Sequence, residues 1–406
     1  MSTPLSMKKI LLGVTGSIAA YKSSDLASKL AQAGAQVDVI MTEAAQEFIT
    51  PLTFRSVTGG GVYTEEDLWG HEGHVLHVGL AEASDLMVIA PATANTIARL
   101  AHGLADNLLS LAALAARCPV IVAPAMDGGM WEHPATQANV ETLAARGVLI
   151  AGPASGHLAS GLDSAGRMLE SAELLAWIRH TLSSGGPLDG VKVVVSAGGT
   201  QEPLDPVRVL TNRSSGKQGF ALAQAALDLG AEVTLVAAPT VRRAPYGAGL
   251  VEVRTSEEML SAVREACREA DALVMAAAVA DFRPADASSQ KIKKDAGVPE
   301  IRLERAPDIL AAIGAERGRE NRLKVVAGFA AETEGLLENA RAKLDKKKLD
   351  LIVANDIGAA DAGFEVDTNR VTLLFADGRS EFLPLLSKDE VAARVIEEIA
   401  RLLGKN

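Results

Sequence analysis

The segment NRSSGKQG, residues 212 to 219, places small residues, a glycine and a cation just ahead of an apolar helical run. That is the make-up of a loop that holds anions on backbone amides at a helix N-terminus. It departs from a P-loop: Gln218 stands where Ser or Thr would hold magnesium, and Thr211 occupies the place of the first glycine. A second glycine turn, GVTGS, lies near the start of the chain, and hydroxyls such as Ser17 and Thr42 beside helix N-terminal amides suit a monoester phosphate. A dinucleotide site wants an acidic residue after its second strand, but that strand ends in Met41-Thr42 in one half and in Ala-Ala-Pro-Thr in the other, which disfavours NAD in both. His71, His74 and His77 recur at i, i+3 and i+6, which could be read as metal ligands, but helical spacing without a nearby cysteine makes this the weaker reading. Lys343 and Lys347, four apart in KLDKKKLD, share one helix face, although a run of this kind is ordinarily a solvated surface.

The elements that must carry these residues repeat one grammar. KKILLGVTGSIAAYKSSDLASKLAQAGAQVDVIMT reads as strand, glycine turn, amphipathic helix, closing glycine and second strand, a βαβ unit. VKVVVSAGGT and FALAQAALDLGAEVTLVAAPT restart it, with a long insertion that contains the 212–219 loop. SSGGPLDG, residues 183–190, reads as the linker, so the expected domains are 1–188 and 189–406. DLMVIAP and CPVIVAPAM add strands to the first half, and DALVMAAAVAD, KVVAGFAAET and LDLIVAND to the second. Asp281 then falls at a strand end, where ligands of open parallel sheets bind. RVTLLFADGRSEFLPL predicts a hairpin turning at Asp377-Gly378, followed by a helix from about Lys388. The fold class expected is α/β with two doubly wound domains.

Bulk properties narrow the partners. The 406 residues are too many for one ordinary core, and 48% hydrophobic with only 3% aromatic suits parallel sheets under Ala-rich helices. A net charge of -11 speaks against a nucleic-acid or acidic-membrane partner. Two cysteines, Cys118 and Cys267, can build neither a disulfide framework nor a multi-cysteine metal site, which fits a cytoplasmic protein. The apolar run before the first glycines is too short for a signal peptide, and no segment approaches the ~20 residues of a membrane span.

Several motifs then converge in order: GVTGSIAAYK, APATANTIARLAHGLADNLL, PAMDGGMW and SGLDSAGRM, followed by SAGGTQEPLDPVR, NRSSGKQG, AAAVADFRP, KIKK, GFAAET and AND. In this order and over essentially the whole chain, the sequence resembles the bifunctional phosphopantothenoylcysteine decarboxylase/phosphopantothenate–cysteine ligase family of coenzyme A biosynthesis. The resemblance implies a flavodoxin-like FMN-binding decarboxylase domain followed by a Rossmann-like ligase domain. FMN would oxidise the substrate thiol to a thioaldehyde that acts as electron sink for loss of CO2, then return the hydride to give 4'-phosphopantetheine. His77 matches the family's active-site histidine, eight residues before Asp85. Gly16, Ser17, Ile18, Thr42, Thr93, Asn95, Thr96 and Asn107 match its flavin-contacting segments, with helix capping the competing reading for Asn95 and Asn107. In the ligase half, CTP would activate 4'-phosphopantothenate as an acyl-cytidylate for attack by cysteine. Asn212 matches the residue that holds this intermediate, and Asp281, Lys291, Pro307, Asp308, Ile309, Leu310, Phe329, Lys343 and Lys347 match the CTP contacts. Mg2+ is expected with the triphosphate, and the family assembles from decarboxylase trimers and ligase dimers, which combine as a dodecamer.

Two positions depart from the family. Its PAMN clamp reads PAMD here, so Asp127 replaces the amide that faces the substrate carboxylate of 4'-phosphopantothenoylcysteine, and its proton-donating cysteine reads Ser160. One repair expects Asp127 to stay protonated in a dry pocket and to act as the missing acid. Others use Asp163, a water relayed by Ser160, or a first half that stops at the enethiol or only binds flavin. A decarboxylase of peptidyl cysteine and a nucleotide-binding interaction module are further rivals, the first leaving the second half unexplained.

Overall fold

The structure, a computed structural model, describes residues 4–69, 75–293, 300–319, 322–332, 335–356 and 367–405. The chain divides into two compact units that meet at residues 182 and 183.

In the first unit six parallel strands lie in the order Val62–Tyr63, Gln36–Met41, Lys9–Val14, Leu86–Ala92, Val120–Pro124, Leu149–Ile150. The chain winds one way from the central strand Lys9–Val14 and then returns to wind the other way, so the switch point lies between Lys9–Val14 and Leu86–Ala92. Both faces are covered, which explains strands that are apolar throughout rather than alternating: Leu86–Ala92 is buried at every position. One core holds Leu26 and Leu30 of the helix Ala20–Gln32 with Leu174 and Ile178 of the helix Ser171–Ser183. The opposite core holds Ile97 of Ala94–His102 and Leu108 and Leu109 of Leu108–Ala115.

The second unit is built on eight strands in the order Gly249–Glu252, Glu232–Ala237, Lys192–Ala197, Ala272–Met275, Val325–Glu332, Leu351–Asp356, Thr368–Phe375, Ser380–Ser387. The first six are parallel and the last two antiparallel, joined by the expected turn, with Gly378 at φ 93°. The helices Lys217–Asp228 and Lys388–Leu402 cover one face. Ser256–Cys267, Ile309–Glu316 and Leu336–Lys346 cover the other. One expectation is corrected: the strand read as DALVMAAAVAD ends at Met275. Beyond it the amides of Ala276 and Ala277 both donate to Ser196 Oγ at 3.1 Å, and Ala278 N donates to Gly198 O, which draws the chain off the sheet. Asp281 therefore sits exposed in the loop beyond the strand, not at its end. No helix among the described residues is long and apolar enough to cross a membrane.

Candidate functional sites

In the first unit the residues expected to hold flavin gather at the carboxyl ends of the strands. Gly16, Ser17 and Ile18 form the turn after Lys9–Val14; Thr42 follows Gln36–Met41; Thr93, Asn95 and Thr96 follow Leu86–Ala92. These loops are tied to one another. Thr42 N donates to Val14 O at 3.0 Å, Thr15 Oγ1 donates to Pro91 O at 2.7 Å, and Thr93 N donates back to Thr15 Oγ1 at 3.2 Å. Gly16 lies so close to the Thr42 turn that a Cβ there would stand 2.5 Å from Ala44 Cβ. Beside it Ile18 is 61% exposed, and the helix Ala20–Gln32 begins with neither a side-chain cap nor an acidic residue in its first turn. An apolar side chain presented to solvent next to an uncapped helix start fits a flat ring bearing a phosphate.

Capping occupies part of the set. Thr42 caps a short helix through Ala45 N at 3.3 Å, Thr93 caps Ala94–His102 through Thr96 N at 3.3 Å, and Asn107 makes a capping box with Ser110. The competing reading of Asn107 is thus realised, whereas Asn95 lies inside its helix and exposed, with Thr93 as the cap. His77 lies in the first turn of the helix Leu76–Glu82, which packs against Leu108–Ala115, and its Nδ1 is buried without a partner among the described residues. His71 and His74 lie outside the described residues.

Asp127 follows Val120–Pro124 and caps Gly128–Trp131, its Oδ1 accepting from Gly129 N at 3.0 Å. The hairpin Ala154–His157/Asp163–Arg167 docks on the same loop: Met126 N donates to Gly166 O at 2.9 Å. Ser160 lies in the exposed turn of that hairpin. The expectation of a protonated Asp127 is overturned. The Ser160 hydroxyl beside it, together with the Gly129 amide, holds its carboxyl below the usual range and outweighs the burial that would raise it. Asp127 Oδ2 is shielded from solvent without a completed hydrogen bond, so the carboxylate is poised to accept one more donor.

In the second unit a cleft of about 930 Å³ opens at the carboxyl end of the parallel strands. It is lined by Asn212 and the 213–219 loop, and by Asp281, Pro307, Asp308, Ile309, Leu310, Phe329, Lys343 and Lys347. Of the residues expected there only Lys291 is not in the wall. Its neighbour Ile292 is anchored instead: Ile292 N donates to Asp205 Oδ2 at 3.2 Å and Arg208 Nη2 donates to Ile292 O at 2.7 Å. Burial alone would raise the Asp205 carboxyl, but the amides of Val207, Arg208 and Ile292 and the Arg208 guanidinium hold it well below the usual range.

The loop geometry follows from two glycines. Gly216, the N-cap of Lys217–Asp228, has φ 71°, a left-handed conformation open to glycine. Gly219 faces the central strand, where a Cβ would stand 2.5 Å from Ala197 Cβ. The helix start is thereby pressed onto the sheet, and its amides face the cleft. Asn212 Nδ2 donates to Val279 O at 3.1 Å, which ties the loop to the 276–280 segment. Asp308 caps Ile309–Glu316 through Ala311 N at 3.1 Å and pairs with Lys347 Nζ at 3.0 Å. Further lining residues that sequence reasoning did not select include Asn355, Asn369 and Lys388. Asn355 falls in the AND motif, but Asn369 and Lys388 carry no local signal beyond a strand start and a helix start.

Comparisons with known proteins agree with this division. Residues 1–183 match the family described as Flavoprotein, and residues 188–403 match the DNA/pantothenate metabolism flavoprotein C-terminal domain. The chain is 43% identical over 401 residues to the coenzyme A biosynthesis bifunctional protein CoaBC of Bacillus subtilis, covering 98% of each chain. It is 46% identical over 399 residues to that of Vibrio cholerae, covering 97% of this chain and 98% of the relative. Among solved structures it is similar to the C-terminal domain of a CoaBC protein, 38% identical over 54% of this chain and 98% of that one, TM-score 0.46. Another is a mutant PPC decarboxylase complexed with pantothenoylaminoethenethiol, 33% identical over 43% of this chain and 97% of that one, TM-score 0.41. The match along both halves at once establishes that the chain belongs to the CoaBC family of bifunctional coenzyme A biosynthesis proteins.

Proposed function

We propose that the two units catalyse consecutive steps of coenzyme A biosynthesis: the second, 189–406, joins 4'-phosphopantothenate to cysteine, and the first, 1–188, decarboxylates the resulting 4'-phosphopantothenoylcysteine. The chain is a bifunctional decarboxylase and ligase, and its full-length relatives carry the name coenzyme A biosynthesis bifunctional protein. The observation that supports the ligase assignment most is the gathering of Asn212 with eight of the nine expected nucleotide residues around one cleft. In the ligase step a carboxylate oxygen of 4'-phosphopantothenate attacks the α-phosphorus of CTP, and pyrophosphate leaves. The cysteine amine then attacks the acyl carbon, CMP leaves with the C–O electron pair, and the amine proton passes to solvent. The 213–219 amides, Lys343 and Lys347 would hold the anions, and Asn212, tethered to Val279, would orient the activated carbonyl. Mg2+ would accompany the triphosphate as part of that substrate.

In the decarboxylase step, FMN would be held by the loops at Gly16–Ile18, Thr42 and Thr93–Thr96 and supplies the oxidation of the thiol and the return of the hydride. His77, its Nδ1 unspent, would take the thiol proton. The anionic Asp127 accepts a hydrogen bond rather than supplying an acid, so the final proton would come from solvent through the Ser160 hydroxyl beside it. Trimers of the first unit, dimers of the second and a cytoplasmic location complete the proposal. Mass spectrometry of the products from 4'-phosphopantothenate, cysteine, CTP and Mg2+ tests it: 4'-phosphopantetheine is expected, and failure to consume CTP refutes the ligase assignment.

A further inference from the structure

One end of the ligase cleft is built from polar groups that the steps above do not use. Asn355 and Asn369 are 9% and 3% exposed, both line the cleft, and in each the side-chain oxygen has no partner among the described residues. They stand on the neighbouring antiparallel strands Leu351–Asp356 and Thr368–Phe375, where Asn355 is paired with Val371 and Asn369 lies two residues before Val371. Residues so placed are diagonal neighbours on one sheet face, with Cα atoms about 7–8 Å apart, so both carboxamides can reach one small ligand. Asn369 is fixed in orientation: its Nδ2 donates to Gln218 Oε1 at 3.0 Å, and Gln218 Nε2 donates to Lys388 O at 3.2 Å. The same end holds the Lys388 side chain, in a residue only 7% exposed, and Lys217, which pairs with Asp367. Burial, and then the charge of Lys217, lower the Lys388 ammonium below the usual lysine range, against the nearby Asp367 carboxylate, which opposes that shift.

Two buried acceptors beside a buried cation call for a ligand with N–H donors next to an anionic group. We propose that the Asn355–Asn369–Lys388 end of the cleft is the subsite for the amino-acid nucleophile, Lys388 holding the α-carboxylate and the two carboxamide oxygens holding the amine. This rests on the ligase reading of the same cleft. A neutral amine has two N–H bonds and one lone pair. Two acceptors take both N–H bonds and leave the lone pair free to face the activated acyl group. A phosphate has no such donors at neutral pH beyond one O–H, so the orphaned oxygens favour an amine over a phosphate here.

The test compares L-cysteine with cysteamine, which lacks the carboxylate, in CTP-dependent pyrophosphate release by the full chain with 4'-phosphopantothenate. Lys388→Met is expected to raise the KM for cysteine roughly 10- to 100-fold, the range of a lost charge-assisted hydrogen bond, while kcat/KM for cysteamine changes about twofold or less. Asn369→Ala is expected to raise the KM of both amines and to leave the KM values of CTP and 4'-phosphopantothenate within about twofold. The subsite is overturned if Lys388→Met raises the KM for 4'-phosphopantothenate or CTP instead, if cysteine and cysteamine suffer equally from it, or if both variants lose all turnover. A parent enzyme that releases no pyrophosphate would instead overturn the ligase reading itself.

Discussion

Gly219→Ala separates the ligase site from fold stability. The added Cβ would lie 2.5 Å from Ala197 Cβ, 2.7 Å from Ser196 O and 2.9 Å from Ala197 Cα. Carbon atoms rest about 3.5–4.0 Å apart, so the first turn of Lys217–Asp228 has to lift by about 1 Å from the strand Lys192–Ala197. Overpacking of this kind costs ~1–3 kcal/mol, and alanine returns about 1 kcal/mol of helix propensity, so net stability falls by no more than about 2 kcal/mol. The cleft feels more, because Ser214, Ser215 and Gly216 ride on that turn. A 1 Å misplacement of positioning groups is worth on the order of 10²-fold in rate. The expected outcome is a loss of about 10²-fold in kcat/KM for CTP-dependent pyrophosphate release. Decarboxylation of supplied 4'-phosphopantothenoylcysteine, carried by the other unit, should stay near the parent rate. Parental ligase activity would refute the argument that close packing of this helix sets the loop, and equal loss of both activities would show general unfolding.

Three further outcomes follow from the geometry. Because the Asp127 carboxyl is held below its usual range by the Ser160 hydroxyl and the Gly129 amide, it is ionised throughout the neutral range and generates no pH limb there; Asp127→Asn should keep the decarboxylation pH profile in the neutral range and lower the KM for the carboxylate substrate, and loss of an alkaline limb in this variant would contradict that. Ser160→Cys puts a thiol of pKa about 8.5 where a hydroxyl stands, and release of the reduced product should quicken several-fold in stopped-flow measurements, with an unchanged rate counting against Ser160 on the proton path. Glu398 is fully buried and meets Arg394 at 2.5 Å and Arg379 at 3.6 Å, with Arg401 also paired to it, while Arg394 keeps Glu381 and Glu397 and Arg379 keeps Asp377, so Glu398→Ala should cost the second unit ~1–3 kcal/mol through the lost charge-assisted hydrogen bonds. Calorimetry of the full chain would register this as a lowered transition for one of two units, and an unmoved transition would show the cluster to be neutral.

What could be read beforehand, and what could not, divides by the range of the interactions. The strand-turn-helix grammar, the Asp377-Gly378 hairpin and the helix from Lys388 rest on periodicity and turn chemistry within a few residues, and all are present. The strand expected through Asp281 ended six residues early because Ser196, 80 residues away, takes the amides of Ala276 and Ala277. Nothing in AAAVAD encodes that competition. Asp127 follows the same logic: a carboxylate in an apolar PAMD context reads as desolvated, yet the hairpin carrying Ser160 folds back upon it and reverses the sign of its shift. The paired asparagines are the extreme case. Asn355 and Asn369 belong to different strands, and only the antiparallel register that sets Asn355 against Val371 brings both onto one face above Lys388. Sequence patterns carried the scaffold because secondary structure is local, while the electrostatics of each site were decided by residues that meet only after the sheet has closed.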